Sequence, residues 1–148
     1  MKKFQFRLET PLRLRRRKVD RAAQDLAKAR AEVLRVRREM ERLEKERAYW
    51  AQSNPPRADG EMDVARDQRR TEYMDYIGTL LDRQKESLVP LSALVTACEA
   101  ALQQAVRERQ ILERLKELRK KTHQDDIRAL ETKRSDFAAA AMFRRSVQ

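Results

Sequence analysis

The sequence predicts an all-α protein, a long antiparallel two-helix coiled-coil hairpin in which the second helix is the longer. Of the 148 residues, 40% are charged and only two are glycine, against roughly 25% and about 7% in a typical globular domain. Sheets need glycine turns and β-branched residues, so this composition favours long helices rich in alanine, leucine, arginine and glutamate. Aromatic residues make up only 5% of the chain, which indicates a narrow packed seam in place of a thick core.

A heptad repeat predicts the first helix, over about residues 11–52. Nine of its ten seam positions are apolar, and the residues between them are mainly charged or glutamine. The seam positions are Val19, Ala22, Leu26, Ala29, Val33, Val36, Met40, Leu43, Arg47 and Trp50. A seam with a period of 3.5 residues is typical of a left-handed coiled coil. Thr10 is predicted as the N-cap and Pro11 as the first helical residue, where its missing N–H costs nothing.

Residues 53–60, SNPPRADG, predict the turn, because consecutive prolines and a glycine end a helix and reverse the chain. The second helix is predicted over about residues 61–143, and residues 1–148 as a single coiled-coil domain. Its seam residues are Leu81, Gln84, Leu88, Leu91, Val95, Cys98, Leu102, Ala105 and Leu112, followed after a stutter by Leu115, Leu118, Thr122, Ile127 and Leu130. Pro90 lies within this helix and predicts either a kink or a break.

The two predicted helices differ greatly in length. If the turn centres near Asp59, Leu43 faces the region of Tyr76 and Leu12 faces that of Arg107. Residues past about 108 then have no partner in their own chain, although many of them are large and apolar. Among these are Ile111, Leu112, Leu115, Leu118, Ile127, Leu130 and Phe137. Three explanations are open: the second helix folds back at Pro90, the protein self-associates, or another protein covers this surface.

The net charge of +11 is unevenly distributed along the chain. Residues 1–20 carry +6, residues 21–60 carry +3, residues 61–100 carry −3 and residues 101–148 carry +5. Most arginines have acidic neighbours within a turn or two, which is typical of a solvated helix face with ion pairs. A nucleic-acid-binding coil is expected to show a continuous basic stripe instead, so we expect no nucleic acid, although this function stays open as an alternative.

The sequence contains no arrangement of residues that indicates catalysis, a cofactor or a metal. His123 is the only histidine and Cys98 the only cysteine, so neither a metal site nor an intrachain disulfide is predicted. Cys98 occupies a seam position and is interpreted as a small buried hydrophobe. The longest uncharged run, Ser87–Cys98, is too short for the roughly 20 residues that span a bilayer, and no signal peptide is recognisable. We therefore expect a soluble, cytosolic, non-enzymatic protein.

The opening run FQFRLETPLRLRRRKVD, residues 4–20, resembles the N-terminus of the flagellar FliJ family of the bacterial type III export apparatus. The matching residues are Phe4, Phe6, Arg7, Leu8, Glu9, Thr10, Leu12, Leu14 and Arg15. A weaker resemblance occurs near the C-terminus, in KRSDFAAAAMFRR, whereas Pro11 departs from the leucine usual in the family. Generic coiled coils share heptads and charge, so the distinctive part of the resemblance is Phe4 to Thr10.

The resemblance implies a stalk similar to the central γ subunit of rotary ATPases. Its partners would be the hexameric flagellar export ATPase, the membrane-embedded export gate and export chaperones, with the protein cytoplasmic and peripherally associated with the inner face of the cell membrane. The implied ring-binding residues are Arg13, Arg15, Arg16, Arg17, Lys18, Arg144 and Arg145, and the implied gate-binding residues are Leu43, Trp50, Tyr76 and Leu80.

Some alternatives to this interpretation stay open. Trp50, Tyr73 and Tyr76 lie near the turn either as packing residues or as an aromatic anchor for a partner. The same stalk could serve a virulence type III secretion system in place of the flagellum, and a homodimeric scaffold would share its heptads. A stalk is expected to be a monomer or to self-associate weakly.

Overall fold

The computed structural model describes residues 3–53 and 63–146. Helix α1 spans Glu9–Ser53, with 45 residues, and helix α2 spans Val64–Ser146, with 83 residues. The two helices pack against each other, and no strand occurs within the described ranges. The all-α helical hairpin predicted from the composition and the heptads is therefore confirmed.

Helix α1 begins before the predicted position. The Leu8 carbonyl accepts a hydrogen bond from the Leu12 N–H at 3.0 Å, so Glu9 is already helical. Thr10 as the N-cap is therefore wrong, because this residue lies inside the first turn. Pro11 is tolerated there because the first four N–H groups of a helix have no acceptor within it. Glu9 in this turn complements the positive end of the helix dipole.

Helix α2 begins at Val64 and continues without interruption through Pro90 to Ser146. The Asp63 carboxylate accepts a hydrogen bond from the Arg66 N–H at 3.2 Å and so acts as the N-cap. A break or fold-back at Pro90 is wrong. Pro90 and Glu86 are both exposed, so water can bond the Glu86 carbonyl that the proline leaves without a donor. The predicted turn, apart from Ser53 at the end of α1, lies outside the described residues.

The seam of α1 is confirmed along its whole length. All nine apolar seam positions are buried or half-buried, and the tenth, Arg47, is exposed. Leu12 extends the same repeat by one heptad towards the N-terminus and is fully buried. A period of 3.5 residues keeps a single stripe of α1 against α2, which is the property that defines a coiled coil.

The chain divides into two units, of which one comprises Arg21–Leu102. At the centre of this unit Leu43 packs with Ile77 and Leu81, which are 2%, 1% and 4% exposed. Its helices are antiparallel, because Leu43 faces residues early in α2 whereas Arg30, earlier in α1, pairs with Glu99 at 2.8 Å. Each helix thus contributes a single stripe of side chains to the core of this unit.

One stretch of α2 is apolar enough over eighteen residues to cross a membrane, by length and composition alone. Its mean hydropathy is 1.2, and 6% of it is buried. The uncharged run Ser87–Cys98 is followed by Glu99, which pairs with Arg30 of α1, and Leu91, Val95 and Cys98 are half-buried. The inner side of this run therefore belongs to the coiled-coil seam.

The other unit comprises Met1–Asp20 and Gln103–Gln148. Its buried residues are Phe6, Leu12, Val19 and Ala105. Here too the helices are antiparallel, because Glu9 pairs with Lys116 at 2.6 Å and Lys18 pairs with Glu108 at 2.9 Å. Leu12 therefore faces residues between 108 and 116, and not Arg107, which is exposed.

Residues 109–127 were expected to lack a partner in their own chain, and this is wrong. The non-helical segment before α1 packs against them, because Phe4 contacts His123 and Phe6 contacts Lys116, seven residues apart on α2. This short segment thus covers a long part of α2. Beyond Ile127 every described residue of α2 is exposed.

The predicted seam after the stutter is only partly correct. Leu115 and Ile127 are half-buried, but Leu118, Thr122 and Leu130 are exposed. Lys116 and His123 are half-buried in their place, because they pack against aromatic rings of the N-terminal segment. The pattern of apolar residues does not indicate these half-buried positions, because lysine and histidine are polar.

Replacing Ile77 by alanine tests the narrow core. Because Ile77 is 1% exposed, Ile77→Ala is expected to lower the free energy of unfolding by about 2–5 kcal/mol. Ile111→Ala is the matched control: Ile111 lies on the same helix at 66% exposure, so its effect is expected within about 0.5 kcal/mol. Urea unfolding followed by circular dichroism measures both. Equal losses in the two variants would contradict the assignment of the core.

Candidate partner-binding surfaces

The residues of the FQFRLET run form a contact within the chain itself, here called the N-terminal anchor (Phe4, Phe6, Glu9, Lys116 and His123). Phe6 is 8% exposed, and the Lys116 ammonium lies 5.9 Å from the centre of its ring. The ring of Phe4 lies 5.6 Å from that of His123 at an angle of 41°. Lys116 also donates to the Glu9 carboxylate, and this hydrogen bond holds the pKa of Glu9 below its ordinary value.

The N-terminal anchor explains why two phenylalanines precede the helix. They fix the chain end on α2, and the cation over the ring adds to the apolar contact. Lys116 and His123 were not singled out as partners by the sequence analysis. Only their distance from Phe4 and Phe6 in the folded chain identifies them.

The basic residues that follow the N-terminal anchor, predicted to face an ATPase ring, bind α2 in part. Arg15 and Lys18 both pair with Glu108, and Arg16 pairs with Glu113 at 3.4 Å. The hydrogen bond from Lys18, with a smaller one from Gln104 and the charge of Arg15, lowers the pKa of Glu108. These cations therefore join the two helices of their unit.

Two other predicted ring-binding residues on α1 point to solvent. Arg13 is exposed and donates only a long hydrogen bond, 3.4 Å, to the Thr10 hydroxyl. Arg17 is exposed as well. Both remain accessible to a partner without the loss of an interhelix ion pair among the described residues.

An uncovered apolar surface lies on the C-terminal segment, residues 128–146 of α2. Leu130, Phe137, Met142 and Phe143 are 57%, 80%, 73% and 71% exposed. At 100° per residue, Leu130, Phe137 and Ala141 lie on one face of the helix.

Cations flank this apolar face. Lys133 and Arg144 lie on one side of it, and Arg134 and Arg145 on the other. The segment combines an apolar stripe with two rows of positive charge, a pattern that matches an apolar partner surface with acidic margins.

The residues predicted to bind the export gate differ in accessibility. Leu43 is 2% exposed in the core, and Leu80 packs against that core. Tyr76 is 58% exposed and Trp50 is half-buried. Leu43 cannot touch a partner without opening the seam, so the accessible members of this set are Tyr76 and, in part, the half-buried Trp50 and Leu80.

Tyr73 joins the accessible aromatic residues into one cluster. Its ring lies 4.9 Å from that of Trp50 and 6.4 Å from that of Tyr76. Its hydroxyl donates to the Glu46 carboxylate, and this hydrogen bond raises the pKa of Tyr73. The aromatic cluster (Trp50, Tyr73 and Tyr76) is thus both packed within its unit and open to solvent at Tyr76.

The family model described as "Flagellar FliJ protein" matches residues 4–148. The chain belongs to the flagellar FliJ family. The match covers essentially the whole chain, so the resemblance at Phe4–Thr10 is confirmed. No curated protein and no solved structure matches the chain.

Membership in the FliJ family fixes the general role of the protein. It is a component of flagellar type III protein export, and the family is a soluble, non-catalytic part of that apparatus. Within residues 3–53 and 63–146 no group of three or more histidine, cysteine, aspartate or glutamate residues could hold a metal ion. Cys98 is half-buried, at the seam position assigned to it.

Acid is expected to weaken the interhelix ion pairs. The pKa of Glu108 lies below its ordinary value of 4.5 in the folded chain. A lowered pKa contributes stability that is present above about pH 4.5 and is lost as the pH falls through the folded-state value. Glu108→Gln is therefore expected to melt at a lower temperature than the unmodified chain at about pH 7, and this difference is expected to be smaller at about pH 3.

The matched control is Glu117→Gln, which alters an exposed glutamate on the same helix. Thermal unfolding followed by circular dichroism at the two pH values gives the comparison. If Glu108→Gln lowers the melting temperature equally at both pH values, the charge of the carboxylate is not what joins the helices.

Proposed function

We propose that the protein is a non-enzymatic stalk that binds the hexameric flagellar export ATPase and the export gate, and that it also binds export chaperones. The observation that carries the proposal is the C-terminal segment, where α2 continues past Ile127 with no covering residue among those described. Four large apolar side chains, from Leu130 to Phe143, are exposed over about four turns of the helix and need a partner surface. A ring with an apolar, acid-lined pore would supply one.

Four of the seven residues implied by the family resemblance are the most accessible to a ring. Arg144 and Arg145 lie in the last turn of α2 and are exposed, and Arg13 and Arg17 on α1 are exposed too. These four are the principal ring-binding candidates, whereas Arg15, Arg16 and Lys18 also join the helices. A partner carboxylate would have to compete with Glu108 or Glu113 for the latter three.

Binding to the export gate is proposed for the aromatic cluster and Leu80. Tyr76 offers the largest accessible area, and tyrosine and tryptophan are frequent hot-spot residues in protein interfaces. Leu43 supports this surface from the core, where it packs with Ile77 and Leu81. Contact with the gate would hold the otherwise soluble protein peripherally at the inner face of the cell membrane.

A charge reversal in the C-terminal segment tests the ring contact. The double variant Arg144→Glu with Arg145→Glu is expected to raise the protein concentration that half-maximally stimulates the export ATPase by about tenfold or more, because like charges would face each other. ATP hydrolysis measured over a range of stalk concentrations gives this value.

Arg37→Glu with Arg38→Glu is the matched control, since these are also two adjacent exposed arginines. It is expected to leave the stimulation unchanged, and circular dichroism checks that both variants stay helical. Equal loss with the two double variants would mean that overall charge drives the effect, which would contradict a specific contact through the C-terminal segment.

A further inference from the structure

The unit Arg21–Leu102 contains a cavity of about 390 Å³ beside the aromatic cluster. It is lined by Trp50 near the end of α1 and by Arg66, Arg69, Arg70 and Tyr73 in the first turns of α2. Two aromatic rings and three guanidinium groups thus border one small volume. No carboxylate is among the described residues that line it.

Several side chains that line this cavity are held in place by contacts within the unit. Trp50 and Tyr73 pack with their rings tilted by 56°, and the Tyr73 hydroxyl is bound to Glu46. Arg70 donates to the Ala51 carbonyl at 3.1 Å and so satisfies the end of α1. The cavity is therefore bordered by side chains with defined positions, which lowers the entropy cost of binding a ligand.

Arg69, on α2, differs from several arginines of α1. Arg30, Arg35 and Arg42 each pair with a glutamate. The Arg69 Nε instead donates to the Ala65 carbonyl of its own helix at 3.2 Å, and a carbonyl does not neutralise the charge. Arg69 is exposed, so its remaining N–H donors can reach an anion in the cavity.

We propose that this cavity binds an acidic peptide segment of a partner protein, with a carboxylate on Arg69 and an apolar side chain against Trp50 and Tyr73. Guanidinium groups bind carboxylates through paired hydrogen bonds, and the volume suits one or two side chains. The proposal rests on the gate contact proposed above, because Trp50 belongs to both, and it states the chemistry that the partner presents there.

The charge of the surroundings favours a short acidic peptide over a nucleic acid. Residues 61–100 carry eight acidic and five basic residues, a net charge of −3. Residues 21–60 carry +3, so the unit is close to neutral and does not present the continuous basic surface that a long phosphate chain needs to release counterions. The exposed Arg69 guanidinium can still attract a carboxylate, because fields from charges farther than about 8–10 Å are screened.

Trp50, the one tryptophan of the chain, provides a direct measurement. The probe is a blocked pentapeptide of two aspartates, two glutamates and a central phenylalanine, titrated into the full-length protein while tryptophan fluorescence is recorded. We expect a saturable change in emission, and we expect Arg69→Glu to weaken it by about tenfold or more. Arg83→Glu, an equal charge change at an exposed arginine of the same unit, is expected to leave it unchanged.

Four results would overturn the proposal. The first is a titration without a saturable change in fluorescence, and the second is equal binding of a control peptide in which asparagine and glutamine replace the acidic residues. The third is that Arg83→Glu weakens peptide binding as much as Arg69→Glu does. The fourth is that hexathymidylate binds more tightly than the peptide and depends on Arg69. Circular dichroism confirms that Arg69→Glu is helical, and Arg69→Gln, which removes the charge without reversing it, provides a second variant that is expected to weaken binding as well.

Measuring how the variants bind the cytoplasmic part of the export gate distinguishes the acidic-peptide site from the proposed gate contact. If Tyr76→Ala abolishes gate binding and Arg69→Glu does not, the gate contact stands and the acidic-peptide site is overturned. If the peptide binds with dependence on Arg69 and Tyr76→Ala leaves gate binding intact, the cavity stands and the gate assignment fails.

Discussion

The structure depends on a single narrow seam between two helices. Each helix presents one stripe of apolar residues to the other. The ten buried side chains among the described residues are all hydrophobic: nine lie on the two helices, and Phe6 lies in the segment before α1. Charged pairs such as Arg30 with Glu99 border these stripes and are partly exposed, so each adds about 0–1 kcal/mol. Apolar burial along the seam therefore supplies most of the stability.

A seam of this kind leaves one helix without cover wherever its partner stops. Helix α2 has 83 residues against 45 in α1, and the N-terminal anchor covers only part of the difference. Phe6 and Phe4 reach Lys116 and His123, and the cover ends at Ile127. The exposed apolar surface beyond this point follows directly from the unequal helix lengths and gives the stalk proposal its physical basis.

The sequence predicts the helices well because their seam repeats locally. The heptad residues of α1 from Val19 to Trp50 pack as predicted, since a 3.5-residue period determines which face of a helix is buried. Contacts between distant residues are predicted less well. Nothing local in the sequence indicates that Lys116 packs under Phe6, because lysine is not read as a seam residue.

The candidate sites show the same difference between local patterns, which the sequence predicts well, and contacts between distant residues, which it predicts less well. Exposed arginines were found from their positions along the chain, but whether each one binds a glutamate of the other helix depends on the register of the two helices. Arg15 and Arg17 look alike in the sequence, yet only Arg15 pairs with Glu108 among the described residues. The cavity at Arg69 likewise needs α1 and α2 side by side before its aromatic and basic walls meet.

Hydrogen exchange of the full-length protein, alone and with the hexameric export ATPase, tests the central claim most directly. Helical amides without tertiary packing exchange quickly because local unfolding exposes little buried surface. The account predicts rapid exchange over residues 128–146 in the isolated chain, slower exchange around Leu43 and Ile77, and protection of 128–146 when the ATPase is added. Protection of this segment in the isolated chain at the level of the core, or no change on addition of the ATPase, would contradict the account.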